Sequence, residues 1–491
     1  MVTTRSADAL ATIDDVPQEL LDRVCNFCEI EALKSLRLTD KKFHSSATKA
    51  LFKHVEVKPT TESCQKCLAL MDSPALRLHP TTITFHTSLN PAHESQADTE
   101  ETGLIRAKGG GYRHVQPFYD ALSSVAKFEK LQHVGVYFAE RCVSGEDWIN
   151  EAPEDITVRS RVLRSLIEDT ELPEKLHSLS IKNLQDLLPD VVFESEGWKK
   201  LLGKLDSLGI WVTNEGDEAA PERNLEYKQL HQFYATDLKT KILSPVRESL
   251  RELKLYGNEI YWGHYPHFDL KDPAMHFPKL ETLALGKMAF VHDWQVEWIV
   301  RHASTLKALI LDDCPIVIAG REYQQMDRPY VRRANSAPLQ DYDICWTNPT
   351  RWHSLFRTFA TSLPHLRHFA LRSTPPSWHE QSQTQSVDSF TTPFALRNEM
   401  QVSRYRLFDM GIGPDQMVEV YHPQNYEKDW ETQPGFEKLA VFDHSWMDEL
   451  EEDEVDEELR VQLVEAMKFP ACWDEDEAAL KELMEAVEAR R

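Results

Sequence analysis

The sequence predicts an α/β fold, in which a small helical module at the N-terminus precedes a long, irregular array of strand and helix repeats. Two observations lead to this prediction. Residues 13–57 contain three short apolar patterns at helical spacing, and the motif Leu-x-x-Leu-x-Leu recurs through most of the remaining chain. The chain has 491 residues, of which 41% are hydrophobic, and is therefore long enough to bury a sizeable core.

The N-terminal module is predicted to contain three helices. The first begins at Pro17, where Asp14 and Asp15 suit the positive end of the helix dipole, and Thr39 is the expected N-cap of the third. The apolar residues that share helix faces are Pro17, Leu20, Leu21, Val24 and Cys28, then Ile30, Leu33 and Leu36, then Phe43, Ala47, Ala50 and Leu51. A module of about 45 residues buries little surface by itself, so this apolar surplus indicates a partner.

The repeated motif predicts stacked strand and helix units. Leu250–Asn258 and Leu306–Cys314 match the full pattern Leu-x-x-Leu-x-Leu-x-x-Asn/Cys. Looser copies are Leu131/Val134/Val136, Leu176/Leu179/Ile181, Leu205/Leu208/Ile210, Leu280/Leu283/Leu285, Leu366/Phe369/Leu371 and Phe436/Leu439/Val441, and Ile83 and Phe85 begin the series. A single unit cannot bury its leucine face, so neighbouring units are expected to stack into a curved array.

Three regions follow from these patterns: a helical module at 13–57, a repeat region at 58–447 and an acidic C-terminal segment at 448–491. Within the repeat region, polar stretches at 86–111, 214–222, 321–350 and 374–393 are expected to form inserted loops. The C-terminal segment reads as a charged helix with Leu459, Leu463, Ala466 and Met467 on one side. Its expected role is a terminal cap or a partly ordered tail.

The charge of the chain argues against two classes of partner. The formal net charge is −25, whereas binding to nucleic acid or to anionic membranes needs clustered Lys and Arg. The N-terminus lacks the apolar core of a signal peptide, and no stretch of eighteen apolar residues occurs. Eight cysteines in so long a chain fit a reducing compartment. We therefore expect a protein of the cytoplasm or nucleus that binds neither nucleic acid nor membranes.

The sequence contains only partial matches to known metal-binding, phosphate-binding and catalytic motifs. The pairs Cys25/Cys28 and Cys64/Cys67 invite a zinc site, but the 35 residues between them exceed the usual spacing. The glycines at 109–111 are not followed by the Gly-Lys-Ser/Thr of a phosphate-binding loop. His93-Glu94 lacks the second histidine of a metalloprotease helix, and a Gly-x-Ser-x-Gly turn is absent. We expect no cofactor, no metal and no catalytic residues.

Three motifs of the N-terminal module resemble those of the F-box family. Val16-Pro17-x-Glu19-Leu20-Leu21 is similar to the opening Leu-Pro-x-Glu-Leu of the F-box, with Val in place of the usual Leu. Leu36-Arg37-Leu38-Thr39-x-Lys41-x-Phe43 resembles its middle, with Thr39 where Val is common, and Leu51-Phe52-Lys53-His54-Val55 resembles its end in fungal F-box proteins. The resemblance covers about a tenth of the chain, and the three motifs occur in the family's order.

This resemblance implies a substrate receptor of a Skp–cullin–F-box ubiquitin ligase. In that family the F-box binds a Skp-type adaptor, which connects it to a cullin scaffold, while C-terminal repeats hold a protein substrate. The receptor performs no chemistry itself. The residues expected to pack within the module or face the adaptor are Val16, Pro17, Leu20, Leu21, Val24, Leu33, Leu36 and Phe43.

The repeat pattern also predicts a substrate-binding row. Since side chains alternate along a strand, the residue after the third apolar position points away from the leucine face. These residues are Tyr137, Lys182, Trp211, Tyr256, Gly286, Asp312, Arg372 and Phe442. All except Gly286 are predicted substrate contacts, because aromatic residues and Arg concentrate at binding hot spots, although aromatic residues also favour strands for structural reasons.

Two other interpretations are compatible with the sequence. The chain could be an interaction scaffold that binds an adaptor without directing ubiquitination. It could also be an enzyme on an irregular α/β fold, since catalytic residues distant in sequence can meet in one site.

Overall fold

The computed structural model describes residues 16–90, 103–107, 111–143, 154–168, 171–216, 221–258, 260–323, 331–338, 343–372, 404–409, 417–419, 470 and 472–491. Within these residues the α/β class is confirmed, since a large parallel sheet alternates with helices along the chain. Phe436, Leu439 and Val441 of the predicted repeats, and the residues from Leu459 to Met467, lie outside the described residues.

The chain begins with three short helices, α1 (Gln18–Asn26), α2 (Ile30–Thr39) and α3 (Lys41–Leu51). The expected N-cap of α3 was off by one residue, because Thr39 ends α2 and the side chain of Asp40 accepts a hydrogen bond from the amide of Lys42. Asp40 suits this position because its backbone is extended while its short carboxylate reaches back to the helix.

The interior of this module is small. Cys25, Leu33 and Ala47, one residue from each helix, form its buried apolar cluster, and Leu36 and Phe43 pack partly against it. A polar bridge joins α1 to α3, in which Ser46 donates a hydrogen bond to Asp22 and Lys49 forms an ion pair with the same carboxylate. The bonds from Lys49 and Ser46 lower the pKa of Asp22.

A nine-stranded parallel sheet follows, and its strands lie in chain order. Its members are β1 (His54–Val57), β2 (Thr82–His86), β5 (His133–Tyr137), β6 (Ser178–Gln185), β7 (Ser207–Thr213), β8 (Glu252–Gly257), β9 (Thr282–Gly286), β10 (Ala308–Asp312) and β14 (His368–Arg372). A short hairpin, β3 (Ile105–Arg106) and β4 (Tyr112–Arg113), lies between β2 and β5 in the sequence.

The repeated leucines of the sequence align across this sheet. Leu208 pairs with Leu253, Leu253 with Leu283, and Leu283 with Leu309. The row continues to Phe369 on one side and through Leu179 on the other. All of these side chains are buried, so the motif marks the strand positions that face the main core.

Helices between the strands cover this leucine face. They are α4 (Thr61–Asp72), α5 (Gln116–Ser123), α6 (Ile156–Ile167), α7 (Asp190–Phe193), α8 (Glu196–Leu202), α9 (Lys228–Gln232), α10 (Ser244–Val246), α11 (Asp293–Val300) and α12 (Trp352–Ser362). Short 3₁₀ turns occur at Val125–Lys127, Pro221–Glu226 and Pro273–Met275, and α9 continues as a π-helix over Phe233–Leu243. Strand and helix side chains form one main apolar core.

A second sheet of five strands is formed by residues that lie between β10 and β14 in the sequence and by residues that follow β14. It contains β11 (Ile316–Tyr323), β12 (Ala337–Pro338), β13 (Asp343–Thr347), β15 (Tyr405–Asp409) and β16 (Met417–Glu419). Beside it, His264 Nε2 lies 2.9 Å from Glu322 Oε1, and the indole of Trp346 donates to the same oxygen at 2.5 Å. The buried carboxylate of Glu322 therefore has two hydrogen-bonding partners at Oε1.

The C-terminal helix, α13 (Trp473–Glu488), packs against α12. Its Asp476 accepts a hydrogen bond from the amide of His353, in the first turn of α12, and another from the hydroxyl of Tyr405. At the other end of α12, the guanidinium of Arg490 donates to the carbonyl oxygens of Leu363 and Ala360. The C-terminal helix thus satisfies backbone groups at both ends of α12 that the helix itself leaves open.

Buried polar groups connect the ends of the central strands. The guanidinium of Arg159 donates to the carbonyl oxygens of Ala139 and Asn183 at 2.6 Å each, and to that of Arg141 at 3.0 Å. These carbonyls follow β5 or lie within β6, so one cation joins two strand ends. Close by, the carboxylate of Asp186 is buried, and neither of its oxygens accepts a hydrogen bond from the residues that the structure describes.

The first testable prediction concerns the pH dependence that Asp186 creates. Burial, together with the neighbouring Glu215, raises the pKa of Asp186 to about 8. The folded chain therefore holds this proton at pH values where the unfolded chain, with a pKa near 3.8, has lost it. Stability contributed by the neutral acid is complete below about pH 4 and is lost as the pH rises through the folded pKa, by up to about 1.4 kcal/mol per pH unit.

Asp186→Asn, which cannot ionise, should have a flatter stability profile than the wild type between pH 5 and 8 and should be the more stable protein at pH 8. Thermal unfolding midpoints of both proteins across this range test the expectation. Because both proteins contain the same histidines, the histidine contribution cancels in the comparison. Parallel profiles would contradict the assignment.

Candidate docking surfaces

An apolar surface on the N-terminal helices is the most unusual feature of the described residues. Seven large apolar side chains are strongly exposed in the part of the chain that the structure describes, and five of them fall within α1, α2 and the turn between them. These five are Leu20, Val24, Phe27, Ile30 and Leu38, with exposed fractions from 50% for Val24 to 89% for Leu38. We call them the apolar patch. Large apolar side chains gathered on one small module are typical of a binding surface.

The structure separates the predicted adaptor contacts into three groups by burial. Pro17, Leu20 and Val24 are exposed, and Val16, Leu36 and Phe43 are half-buried. Leu21 and Leu33 are buried, at 2% and 5% exposure, so they stabilise the module and are not available to a partner.

Three members of the apolar patch were missing from the predicted contacts: Phe27, Ile30 and Leu38. Helical spacing could have found Phe27, because Leu20, Val24 and Phe27 form a stripe one residue away from Leu21 and Cys25. The sequence shows both stripes, whereas the packing of α1 against α3 decides that the stripe of Leu21 and Cys25 is inside.

The difference between inward and outward leucines gives a stability prediction. Leu33→Ala should destabilise the helical module by about 2–5 kcal/mol, because it leaves a cavity in a small core. Leu38→Ala, its matched control, should change stability by less than about 0.5 kcal/mol, because the side chain is exposed. Hydrogen exchange of residues 16–57 in the full chain measures both effects. Equal protection in the two variants would contradict the assignment of Leu33 to the interior of the module and of Leu38 to its surface.

The predicted substrate-binding row is aligned across the sheet. Tyr137 pairs with Lys182, and Trp211 pairs with Tyr256. The row then continues through Gly286 and Asp312 to Arg372, each opposite the next on a neighbouring strand. Phe442 lies outside the described residues. Spacing within the repeats thus brings seven positions onto one face, opposite the leucine core.

Contacts within this row are specific. The ammonium of Lys182 lies 4.7 Å from the ring centre of Tyr137 and 5.8 Å from the indole of Trp211, as in cation–π pairs. The rings of Trp211 and Tyr256 stack at 5.3 Å. Tyr256 lies against Gly286, where a Cβ atom would come within 2.0 Å of its ring, so glycine is needed there for close approach.

Burial limits which members of the row could contact a substrate. Trp211, Tyr256 and Asp312 have exposed fractions of 6%, 1% and 2%, and the two aromatic residues form a second apolar cluster with Ala284, Ile310 and Ala370. Tyr137 and Lys182 are only half-buried. Among the members of the row whose burial the structure describes, the accessible ones are therefore Tyr137 and Lys182, and the aromatic centre packs against the sheet.

A hydrogen-bonded polar chain crosses the same face. His133 Nδ1 lies 2.8 Å from Ser178 Oγ, Ser178 donates to Ser207 at 3.1 Å, and Ser207 donates to Glu252 at 2.7 Å. Burial alone would raise the pKa of Glu252, but Lys254 and Ser207 outweigh it and lower that pKa. In a catalytic triad the histidine lies between the serine and the acid. Here the histidine stands at one end, and both serines lie between it and Glu252, so these four side chains do not have the order of a catalytic triad.

The cysteine pairs considered for zinc do not form a common site in the described residues. Cys64 and Cys67 are buried on α4, where burial raises the pKa of each thiol to about 12. In the part of the chain that the structure describes, no group of three potential metal ligands close enough to share an ion includes either cysteine. Cys28 is half-buried, and its thiol donates to the carbonyl oxygen of Val24. His264 packs among Trp346 and Phe408 and pairs with Glu322.

Comparison of the chain with models of known protein families, and with curated proteins, finds no match in either case. In the part of the chain that the structure describes, no helix is both long enough and apolar enough to cross a membrane. Functional inference therefore depends on the two surfaces described above and on the chemistry of their residues.

Proposed function

We propose that this chain is the substrate receptor of a Skp–cullin–F-box ubiquitin ligase. In this proposal the first three helices are an F-box that binds a Skp-type adaptor, and through it a cullin scaffold. The strand and helix units form an irregular leucine-rich-repeat-like solenoid that holds a protein substrate. The observation that carries the proposal is the apolar patch of Leu20, Val24, Phe27, Ile30 and Leu38 on a module whose motifs resemble the F-box.

The apolar patch has enough surface for useful affinity. Fully burying one side chain such as Leu or Phe contributes about 1.5–3 kcal/mol, so several of the five exposed residues would suffice after the cost of association is met. The patch also lies on two short helices that are both bonded to α3: the Asp22 bridge holds α1, and Arg37 of α2 donates a hydrogen bond to Thr48 at 2.9 Å. A rigid presentation of this kind reduces the entropy lost on binding.

Support for the solenoid comes from the alignment of repeats. Each unit places one strand beside the next in chain order, with leucine opposite leucine from Leu208 to Leu309. Such arrays provide extended faces on which other proteins bind. The Tyr137 and Lys182 end of the cross-strand row, which is half-buried, is the proposed substrate contact on this face.

A receptor of this kind needs no chemistry of its own. Holding the substrate and the adaptor on one chain raises the effective concentration of the substrate near the rest of the ligase. The proposal therefore requires two independent binding surfaces and places all catalysis in other subunits.

Adaptor binding is tested with single substitutions in the apolar patch. Phe27→Asp and Leu38→Asp should each weaken capture of a purified Skp-type adaptor by the full chain at least tenfold, because a charge at the interface remains desolvated. Val191→Asp is the matched control, since Val191 is also exposed but lies on α7, outside the patch. Calorimetry or surface plasmon resonance measures the affinities. Failure of the wild type to bind the adaptor would overturn the proposal.

The outcomes also separate the alternatives. Adaptor binding without cullin recruitment or substrate turnover would favour the non-catalytic scaffold. Turnover of a small molecule by the purified chain, retained in Phe27→Asp, would favour an enzyme.

Substrate capture is tested at the accessible end of the row. Proteins that accumulate when this chain is removed from cells should return to normal levels when wild type is restored, but not with Tyr137→Ala/Lys182→Ala. The double variant should still bind the adaptor, because its substitutions lie on the sheet. Lys66→Ala, on the exposed side of α4, is the control and should restore turnover fully. If the double variant returns these proteins to normal levels, Tyr137 and Lys182 do not contact the substrate, and this face of the sheet is not the substrate-binding surface.

A further inference from the structure

Four potential metal-binding groups meet where the C-terminal helix joins the repeat array. His353 Nδ1 lies 3.0 Å from Asp476 Oδ1, and Cys472 Sγ lies 3.6 Å from Asp476 Oδ2. The hydroxyl of Tyr405 is 2.8 Å from Asp476 Oδ2 and 3.5 Å from Cys472 Sγ. The nitrogen, sulfur and carboxylate ligand atoms all lie within 4.8 Å of one another.

The surroundings of this cluster suit a bound ion. Asp476, Cys472 and Tyr405 are buried, with exposed fractions of 1%, 9% and 0%, whereas the side chain of His353 is a quarter exposed. The cluster is thus shielded on most sides and open to solvent near the histidine, which provides an entry path. Nitrogen, thiolate and carboxylate together form a donor set that zinc prefers over magnesium or calcium.

We propose that His353, Cys472 and Asp476 form a structural zinc site, with Tyr405 at the fourth position. The distances agree with this geometry. For a tetrahedral zinc with ligand bonds of about 2.0–2.3 Å, neighbouring ligand atoms are separated by about 3.3–3.6 Å. With Asp476 Oδ2 as the carboxylate ligand atom, its distance to Cys472 Sγ (3.6 Å) and the distance from that sulfur to the Tyr405 hydroxyl (3.5 Å) already lie at this value, and the 2.8 Å between the two oxygens needs to lengthen. His353 Nδ1 lies 3.0 Å from the other carboxylate oxygen, Oδ1, and needs to turn toward the ion.

The protons of the ligands can be accounted for. Zinc binds the thiolate form of cysteine, so the ion would displace one proton from the Cys472 sulfur to solvent. His353 binds through the lone pair of Nδ1 and keeps its proton on Nε2. One thiolate and one carboxylate then offset the two positive charges of the ion, and the buried guanidinium of Arg404 adds one positive charge beside the site. Arg404, with Nη2 3.5 Å from Asp476 Oδ2, orients the carboxylate from outside the ligand sphere, as such neighbours commonly do.

The site would connect three segments that are distant in sequence: the start of α12, strand β15 and the C-terminal helix. Hydrogen bonds already connect these segments, including the one from the amide of Trp352 to the hydroxyl of Tyr405 at 2.9 Å. Zinc would strengthen this junction, so the position of the C-terminal helix over α12 would depend on the ion.

The metal content of the purified full chain tests the proposal. After incubation with excess zinc chloride and gel filtration, the wild type should retain about one equivalent of zinc by mass spectrometry. Cys472→Ser should retain less than a fifth of that amount. Cys28→Ser removes a half-buried thiol elsewhere and should retain the full equivalent. Cobalt should give a thiolate charge-transfer absorption band in the wild type that is absent from Cys472→Ser.

A wild-type chain that retains less than a tenth of an equivalent of zinc would overturn the proposal and leave a hydrogen-bonded junction only. Equal zinc content in Cys472→Ser would overturn it as well. If Cys472→Ser fails to fold, His353→Gln replaces it, because that side chain is partly exposed. His353→Gln should lose zinc while keeping the wild-type circular dichroism spectrum, and retention of zinc by this variant would equally overturn the proposal.

Discussion

The alignment of one aliphatic row on the next, across nine parallel strands, is the constraint on which the rest of the structure depends. No strand of four to eight residues can bury its leucines alone, so each depends on its neighbours and on the helix that covers them. Because side chains alternate along a strand, a shift of one residue would move Leu253 and Leu283 to the opposite face. The helices on one face and the cross-strand row on the other both follow from this register.

Polar side chains form hydrogen bonds with backbone groups at the ends of strands and helices, which the aliphatic row cannot provide. Arg159 satisfies carbonyl oxygens at the ends of β5 and β6, and Asp476 and Arg490 satisfy the two ends of α12. Inserted segments are tolerated between the units because only the strand and its covering helix need to repeat. The second sheet is one such addition, and the C-terminal helix covers the last helix of the array.

The N-terminal module contrasts with this array. Its interior is limited to a cluster around Cys25, Leu33 and Ala47, while five large apolar side chains face outward. This imbalance supports the proposed two-ended receptor, in which the module and the sheet bind different proteins.

The sequence by itself determined the periodicities. Leucine spacing identified the strands at Leu253, Leu283 and Leu309 and the face that each presents, and helical spacing identified α1 and α2. These features are local, since each depends on residues within a few positions of one another. The same spacing predicted that Trp211 and Tyr256 share a row, because a period of two fixes the face of the sheet.

Only the tertiary structure decided which of the candidate surfaces are inside. Two apolar stripes run along α1, and contact with α3 makes Leu21 internal and leaves Leu20 external. Trp211 and Tyr256 lie in the expected row but are buried there, which spacing cannot reveal. His353 and Asp476 are separated by 123 residues and meet only through the packing of two helices. Periodicity is a property of short segments, whereas burial and proximity arise from contacts between segments far apart in the chain.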